Sequence, residues 1–318
     1  MQPDRLRLVP YRPELAARWN AFVRDSKNGT FLFDRGYMDY HADRFRDASL
    51  MAFEGDDESN LVALLPASRS GDQMISHGGL TYGGWVTDQR MTTLAMLTLF
   101  ERLRSWVPES GLASLRYKVI PHCYHRLPAE EDLYALFSQG VAPSRVDVTS
   151  VIDLGAGLAW SKGRKHALSK ARRLGIEVIE STDFEDFITC LGEVLAVHGA
   201  QPVHTVAELE RLAGQFPEEI RLYSATLGGR AVAYVLVYDT GQVAHTQYMA
   251  SRPDGRTGGG LEAIIYKLQY EICAGRRYIS FGISTESEGR VLNTGLIAQK
   301  EMFGGRAMVS SFFDLTFG

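Results

Sequence analysis

Two stretches of this 318-residue chain hold side chains that could bind or transfer charged groups. In the first, a β-type run that ends at Phe281 leads into the loop "GISTESEG", and a helix-like stretch with Asn293 and Lys300 follows. Loops that follow strands are where α/β proteins usually place binding and catalytic residues. We therefore expect Glu286 or Glu288 to position a substrate or relay its proton. The alternative is that both are solvated loop acids.

The second stretch is the glycine-rich segment "RTGGGL" at residues 256–261. Gly258, Gly259 and Gly260 would let the backbone approach a phosphate, because glycine has no Cβ atom and adopts conformations closed to most residues. A helix that starts there would also favour a negative charge. The segment predicts a phosphate site that includes Arg256, although a glycine-rich helix start can also be no more than a turn.

A predicted strand, "VAHTQYMAS" (243–251), leads into that glycine-rich segment. Side chains alternate along a strand, so His245 and Gln247 are predicted to share one face, and Thr246 and Tyr248 the other. A histidine on a strand that borders a binding cleft could accept a proton from a substrate. The alternative is a histidine whose hydrogen bonds are satisfied within the fold.

Further polar candidates lie outside these stretches. His204 precedes a helix that Thr205 could cap, and a binding role is one interpretation of it. In "ISHGGLTYGGW", His77 and Tyr82 lie among four glycines, which suggests a close approach of the backbone to a ligand or to another domain. We expect these two residues and Lys118 to contribute to an acceptor cleft between domains.

A basic helix is predicted over residues 162–173, "KGRKHALSKARR". Such charges usually form a solvated face, but Arg164 and Lys165 would also suit the phosphates of a nucleotide, together with Lys300. His198 is predicted at the end of a later helix, where the helix dipole favours a cation.

Composition excludes several classes of protein. Apolar residues make up 45% and charged residues 23%, so a core can form, and the net charge of -4 argues against broad nucleic-acid binding. The three cysteines are far apart, and His122 and His125 lack a third ligand, so we predict neither disulfides nor a metal. No signal peptide and no run of about 18 apolar residues is visible, which predicts a cytoplasmic protein without membrane insertion.

The length suits two domains. The second half has helices at its front, a meander of three strands, the glycine-rich segment, a helix, a strand, a helix and a last strand. The first half shows a similar, fainter order, with a long helix over Thr92–Trp106. This order predicts a duplicated α/β unit.

The order of the second half resembles the GCN5-related N-acetyltransferase (GNAT) superfamily. Members carry Gln/Arg-x-x-Gly-x-Gly/Ala at the turn after a splayed strand, and "RTGGGL" matches it in part, with Leu261 in the last slot. Members often also carry an asparagine, a tyrosine and a Gly-Phe pair after the next strand. Asn293 and Gly304 are in register with that pattern, but Lys300 occupies the slot of the tyrosine that protonates the leaving thiolate.

Two further motifs narrow the resemblance. "SKGRKHALSKARRLG" is similar to the R-K-x-x-x-x-K-A-x-x-x-G stretch of Fem-type aminoacyltransferases, and "QKEMFGG" is similar to their Lys-x-x-Phe-Gly. As a whole the chain most resembles their duplicated-GNAT relatives among polysaccharide-biosynthesis acyltransferases. This implies an α+β fold of two tandem GNAT-like domains, each a mixed, mostly antiparallel sheet flanked by helices. The expected boundaries are 1–152 and 153–318, with the acyl-donor site in the second domain.

The activity that the resemblance implies is transfer of an acyl group, expected to be acetyl, from acyl-CoA to the amine of a small acceptor such as a nucleotide-linked amino sugar. His245 is the expected general base, and Glu286 and Tyr248 complete the expected catalytic set. The expected donor-binding residues are Arg256, Gly258, Gly259, Gly260 and Asn293. The expected acceptor-binding residues are His77, Tyr82, Lys118, His204, Arg164 and Lys300.

Two alternatives stay open. The chain could be a Fem-like transferase that uses aminoacyl-tRNA, with the basic helix against the acceptor stem. The net charge and the glycine-rich segment argue against this reading. It could also be a GNAT-like pair without catalysis that only binds a ligand or partner, which Lys300 in the tyrosine slot favours. The oligomeric state is open as well.

Overall fold

The computed structural model describes residues 1–80, 82–157, 159–197 and 199–317, so His198 lies outside the described residues. The chain divides into two units. The first comprises Met1–Asp147, Thr285–Val291 and Val309–Gly318, and the second comprises Val148–Ser284 and Leu292–Met308. The predicted domains were continuous ranges, 1–152 and 153–318. In the structure, two segments beyond residue 284 return to the first unit.

The described residues of the first unit form two groups of strands and several α-helices. Its helices are α1 (Ala16–Asp25), α2 (Arg35–Met38), α3 (Thr93–Glu109) and α4 (Glu131–Ser138). Its strands are β1 (Leu6–Pro10), β2 (Arg46–Asp47), β3 (Leu50–Glu54), β4 (Asn60–Leu65), β5 (Ala67–Ser70), β6 (Gln73–Ser76), β7 (Val86–Thr87) and β8 (Ser114–Lys118). Strand β9 (Pro143–Asp153) begins in this unit and ends in the second.

Apolar spacing explains the long helix of the first unit. The side chain of Thr92 caps α3 by accepting a hydrogen bond from the Ala95 amide. Along α3, Leu99, Phe100 and Leu103 recur three or four residues apart and are fully buried in the core of this unit. The predicted helix over 92–106 is therefore confirmed, and it runs about one turn further.

The second unit contains the predicted meander and the elements that follow it. Its helices are α5 (Lys162–Leu174), α6 (Phe184–Ala196), α7 (Val206–Gln215), α8 (Pro253–Gly258), α9 (Gly260–Lys267) and α10 (Thr294–Glu301). Its strands are β10 (Glu177–Ser181), β11 (Ile220–Leu227), β12 (Arg230–Asp239), β13 (Val243–Ser251) and β14 (Tyr278–Ile283). The chain then forms β15 (Thr285–Glu286), β16 (Val291–Leu292) and β17 (Arg306–Thr316).

In the second unit, the pairing of neighbouring strands changes from antiparallel to parallel at β13. Strands β10, β11, β12 and β13 pair antiparallel in sequence, β14 lies parallel to β13, and β9 pairs antiparallel with β14. Helix α9 buries Ile264 and Ile265 in a core that includes Val235 and Ile279. Thr205 caps α7 in a capping box with Glu208, as the sequence predicts for the cap.

The first unit has its own pairing. One group of strands has the order β1-β3-β4-β7 and is antiparallel throughout. In the other group, β17 pairs with β8 and β8 runs parallel to β6. Strand β6 also pairs with β5, and β5 pairs with β2. Among the described residues, the helices are too short or too polar to cross a bilayer. The same residues contain no cluster of three His, Cys, Asp or Glu side chains arranged for a metal ion.

Candidate functional site

Strands β13 and β14 run side by side only at their starts. Their parallel pairing ends at His245 and Ser280. Beyond this point β13 continues to pair with β12, while β14 continues to pair with β9. The two strands therefore diverge, and their facing edges are no longer paired with each other. We call the place where residues 246–251 of β13 and residues 281–283 of β14 are no longer paired with each other the strand opening.

His245 lies at the point where the two strands diverge. Its Nδ1 atom is 3.1 Å from the hydroxyl oxygen of Ser280. Burial, and after it the positive charge of Lys300, lowers the pKa of His245 to about 4. The imidazole is therefore neutral at neutral pH and can accept a proton from a bound substrate.

Ser280 and Gly282 are parts of this site that sequence analysis missed. Gly282 has a φ of +69°, and a Cβ atom there would lie 3.3 Å from Cε1 of His245. A glycine inside a predicted strand is a signal of close approach, and it could have drawn attention to Gly282. The bond between Ser280 and His245 depends on the register of two strands more than thirty residues apart, which the sequence does not reveal.

A β-bulge in β13 changes which side chains share a face. Leu236 pairs with Tyr248 but Val237 pairs with Thr246, so Gln247 is the extra residue. Tyr238 pairs with His245. Tyr238 and Leu236 lie two residues apart on β12, so their side chains share a face. His245 and Tyr248 therefore point to the same face of the sheet. The prediction from strict alternation, which put them on opposite faces, is wrong because of this bulge.

Tyr248 contacts His204 on that face. Its hydroxyl is 2.8 Å from Nδ1 of His204, and the two rings are edge to face at 5.8 Å between centroids. His204 is 8% exposed, and the ring of Phe187 from α6 lies 6.2 Å from that of Tyr248. Burial raises the pKa of Tyr248 above its usual value, so its hydroxyl keeps its proton at neutral pH.

Lys300 holds the end of β14. Its ammonium is buried and donates to the carbonyl oxygens of Gly282 and Ile283, at 3.0 and 2.6 Å, and to the hydroxyl of Ser284 at 2.9 Å. Burial lowers the pKa of Lys300 to about 8. Asn293 works beside it: its Oδ1 caps α10 at the Leu296 amide, and its own amide donates to the Ser284 carbonyl. The side chain of Lys300 and the backbone N–H of Asn293 thus fix the backbone that borders the strand opening.

Replacing Lys300 with methionine is expected to lower the free energy of unfolding by about 2–3 kcal/mol, because buried acceptors that lose a donor cost about 1–3 kcal/mol. Urea denaturation measures the change. Lys267→Met is the matched control, because the partly exposed Lys267 donates to one carbonyl only, that of Val178 at 2.8 Å. Equal losses in the two variants would contradict the role assigned to Lys300.

The glycine-rich segment lies between two helices. The helix that follows β13 starts at Pro253, and Gly259, with a φ of +87°, separates α8 from α9. A Cβ atom at Gly259 would lie 2.3 Å from the carbonyl oxygen of Ala167, and one at Gly260 would lie 3.0 Å from Cβ of Ala233. At Gly258 the nearest atom, Cδ1 of Ile176, would be 3.2 Å away. Helix α9 starts at Gly260, so the predicted helix start within the glycine-rich segment is confirmed, and α5 and β12 pack closely on Gly259 and Gly260.

Two predicted cations of the second unit have different surroundings. Arg164 on α5 forms an ion pair with Glu262, which is 6% exposed, and its guanidinium lies 4.1 Å from the centroid of the Phe303 ring. Arg256 is exposed, and its Nε donates to the Ser251 carbonyl at the end of β13. Arg164 is thus part of the packing of α5, whereas the guanidinium of Arg256 is accessible to a ligand.

The candidates of the first unit lie inside it. Lys118 donates from Nζ to the carbonyl oxygens of His77 and Leu80, at 3.0 and 2.5 Å. The hydroxyl of Tyr82 is 3.2 Å from that of Thr30. All three candidates are less than 8% exposed, and burial lowers the pKa of His77 to about 3. Each therefore has hydrogen-bond partners within the first unit.

The loop acid Glu286 is exposed, as expected for the residue before a turn. It belongs to Thr285–Val291, a segment that the sequence assigned to the second domain and that lies in the first unit. The next two residues, Ser287 and Glu288, have φ angles of +49° and +55°, and Gly289 passes close to the Val146 backbone. The close approach of Gly289 to the Val146 backbone fixes the turn that follows Glu286.

Comparisons with known proteins identify similar folds. Residues 161–288 match the family model described as Acetyltransferase (GNAT) domain, and no curated protein matches significantly. FemX is similar in structure, with 10% identity, a TM-score of 0.68 and coverage of 98% of this chain and 97% of FemX. L-PGS from Bacillus licheniformis is similar at 13% identity, a TM-score of 0.62 and coverage of 96% and 92%.

A conserved protein of unknown function from Bacteroides thetaiotaomicron is also similar, at 11% identity, a TM-score of 0.61 and coverage of 98% and 99%. At these identities the similarities concern the fold. The predicted α+β fold with tandem GNAT-like units is confirmed. The family model covers the elements from α5 to the loop after β14, which include the strand opening and His245.

Proposed function

We propose that this chain, which has the GNAT fold and a Fem-like duplication, is an N-acyltransferase whose second unit binds the acyl donor in the strand opening. The donor is acyl-CoA, expected to be acetyl-CoA, and the acceptor is the amine of a small molecule such as a nucleotide-linked amino sugar. One observation carries this proposal: a neutral histidine lies where β13 and β14 diverge, within the range that matches the acetyltransferase domain.

The geometry suits the demands of acyl transfer to an amine. The attacking amine must lose a proton, and His245 is neutral and partly exposed beside the opening. The carbonyl oxygen of the donor gains negative charge, which amide groups on the unpaired edge of β13 can stabilise. The donor must also be held in a fixed direction, and an extended chain lying along a strand edge is ordered by backbone hydrogen bonds.

An assay of thiol release tests this proposal. Purified protein is incubated with acetyl-CoA and a panel of free and nucleotide-linked amino sugars, and free thiol and acetylated product are both measured. We expect amine-dependent release of thiol with equal formation of acetylated product. Absence of product with every amine, together with no binding of acetyl-CoA in calorimetry, would contradict the proposal and favour a GNAT-like protein that only binds a partner.

Arg256 is the residue of the second unit that we propose for the phosphates of the donor. Replacing it with glutamate is expected to weaken acetyl-CoA binding by roughly 10- to 100-fold, because a hydrogen bond to a charged group contributes about 1.5–3 kcal/mol. Isothermal titration calorimetry measures the affinity. Arg102→Glu, at an exposed arginine of α3 in the first unit, is the matched control. Unchanged affinity in Arg256→Glu would refute the phosphate assignment.

One observation favours a second candidate function. Helix α5 exposes Lys162, Lys165, Arg172 and Arg173 to solvent, and such a row of cations suits a phosphate backbone. The chain would then use aminoacyl-tRNA as its donor. A coupled assay with charged tRNA distinguishes the two donors, because ribonuclease would abolish product formation with tRNA and leave the reaction with acetyl-CoA unchanged.

A further inference from the structure

The parallel pairing of β13 with β14 ends at Ser280, just before Gly282. We propose that Ser280 is a positioning residue for the acyl donor. Its hydroxyl, together with the ammonium of Lys300, takes the backbone groups of Gly282 that would otherwise pair with β13, and the edge of β13 stays free for a ligand. The use of that edge by an acyl donor rests on the proposed function, whereas the interruption of the pairing does not.

The register of the two strands shows which hydrogen bond is missing. Residues 243–245 of β13 pair with residues 278–280 of β14, and the Tyr278 amide donates to the carbonyl just before β13, at 3.1 Å. Alternate residues of a parallel strand direct both backbone groups to the same neighbour, so every second amide after Tyr278 should face β13. The next bond of this series would join the Gly282 amide to the Thr246 carbonyl.

The Gly282 amide makes a different bond. It donates to Oγ of Ser280 at 3.3 Å, and the φ of Gly282 is +69°, a conformation that residues with a Cβ atom rarely adopt. The register between β14 and β9 shifts at the same place, between Ser280 and Ile283. Gly282 is thus turned out of the regular strand, and the fully buried hydroxyl of Ser280 replaces the acceptor that its amide would have found on β13.

The Gly282 carbonyl is taken as well. It accepts a hydrogen bond from the ammonium of Lys300 at 3.0 Å, and the next carbonyl, that of Ile283, accepts another at 2.6 Å. Lys300 is 4% exposed, and a buried charge that loses its hydrogen bonds is costly, so these bonds are not easily exchanged. Both backbone groups of Gly282 therefore have side-chain partners, and neither is available to β13.

The two edges of the strand opening differ as a result. The edge of β14 is occupied by side chains of its own unit, whereas the Thr246 carbonyl on β13 has lost the partner that the register would give it. Free strand edges are normally covered in proteins, because another chain can pair with them. This edge lies within the range that matches the acetyltransferase domain, and it suits an extended ligand with an amide N–H, which would take the position that Gly282 leaves.

Calorimetry with acetyl-CoA and crystal structures without ligand test the inference. Ser280→Ala removes the acceptor of the Gly282 amide. Ser150→Ala is the matched control, because Ser150 is equally buried on the neighbouring strand β9, and its hydroxyl has no hydrogen-bond partner among the residues that the structure describes. The Ser280 hydroxyl also lies 3.1 Å from Nδ1 of His245, so His245→Ala separates the loss of that contact from the loss of the bond to Gly282.

In Ser280→Ala, we expect the Gly282 amide to turn to the Thr246 carbonyl and acetyl-CoA to bind about 3- to 10-fold more weakly, the scale of one neutral hydrogen bond. Ser150→Ala and His245→Ala should bind acetyl-CoA as the wild type does. An unchanged affinity in Ser280→Ala, or a Gly282 amide that stays turned away from β13, would overturn the inference.

The controls and the wild type separate the remaining outcomes. Equal losses of affinity in Ser280→Ala and His245→Ala would assign the effect to the histidine and would also overturn the inference. A wild-type protein that does not bind acetyl-CoA would overturn the proposed donor. The position of the Gly282 amide in the ligand-free Ser280→Ala structure would then still decide whether Ser280 interrupts the pairing.

Discussion

Replacing His245 with alanine is expected to lower turnover at least 100-fold, roughly the scale for removing a general base. The expectation follows from its place where β13 and β14 diverge and from its neutral state. Steady-state kinetics with acetyl-CoA measures turnover, and calorimetry checks that the donor still binds. His122→Ala, at an exposed histidine of the first unit, is the matched control and should keep full activity. A loss of only a few-fold in His245→Ala would remove this residue from the role of base.

The dependence on pH gives the same variant a second readout. The pKa of His245 is lowered to about 4, so its proton-free form is fully present above about pH 5 and is lost as the pH falls through 4. Between pH 5 and 8, the rate should follow only the deprotonation of the substrate amine. A decline centred near pH 6.5 that vanishes in His245→Ala would show a histidine with its ordinary pKa, contrary to the burial seen here.

Replacing Gly259 with alanine is expected to lower the free energy of unfolding by about 3 kcal/mol or more, as the sum of a strained backbone and overpacking. At Gly259 the φ of +87° disfavours any Cβ, and the new atom would lie 2.3 Å from the carbonyl oxygen of Ala167. That oxygen belongs to the backbone of α5, so it cannot move aside as a flexible side chain could. Equilibrium denaturation by urea measures the loss.

Gly229→Ala is the matched control for this prediction. Gly229 has a φ of +79°, close to that of Gly259, but nothing lies within 4 Å of a Cβ atom there. It should lose only the backbone contribution, about 1 kcal/mol. Equal losses at the two glycines would contradict the close packing of α5 on Gly259.

The sequence reveals the order of elements but not their registers. The meander, the helix after it and the strand at Tyr278 follow from periodicity and turn residues, because these signals are local. The bulge at Gln247 does not follow from a local signal. It exists because β13 has one residue more than β12 between two paired positions. The face shared by His245 and Tyr248 was therefore beyond a prediction from alternation.

The glycines show a second limit of the same kind. A run of glycines indicates that something approaches the backbone closely, but it does not indicate what approaches. At Gly259 the neighbour is the backbone of α5, and at Gly282 it is the ring of His245. Burial likewise cannot be read from residue type: lysines are mostly exposed in proteins, but Lys118 and Lys300 are both less than 8% exposed.

A crystal structure with a non-hydrolysable acetyl-CoA analogue tests the central claim most directly. We expect the acyl carbon of the analogue beside His245, with the pantetheine arm hydrogen-bonded to the edge of β13 beyond that residue. An analogue bound elsewhere on the second unit, with the edge of β13 covered by protein, would contradict the assignment of the strand opening as the donor site.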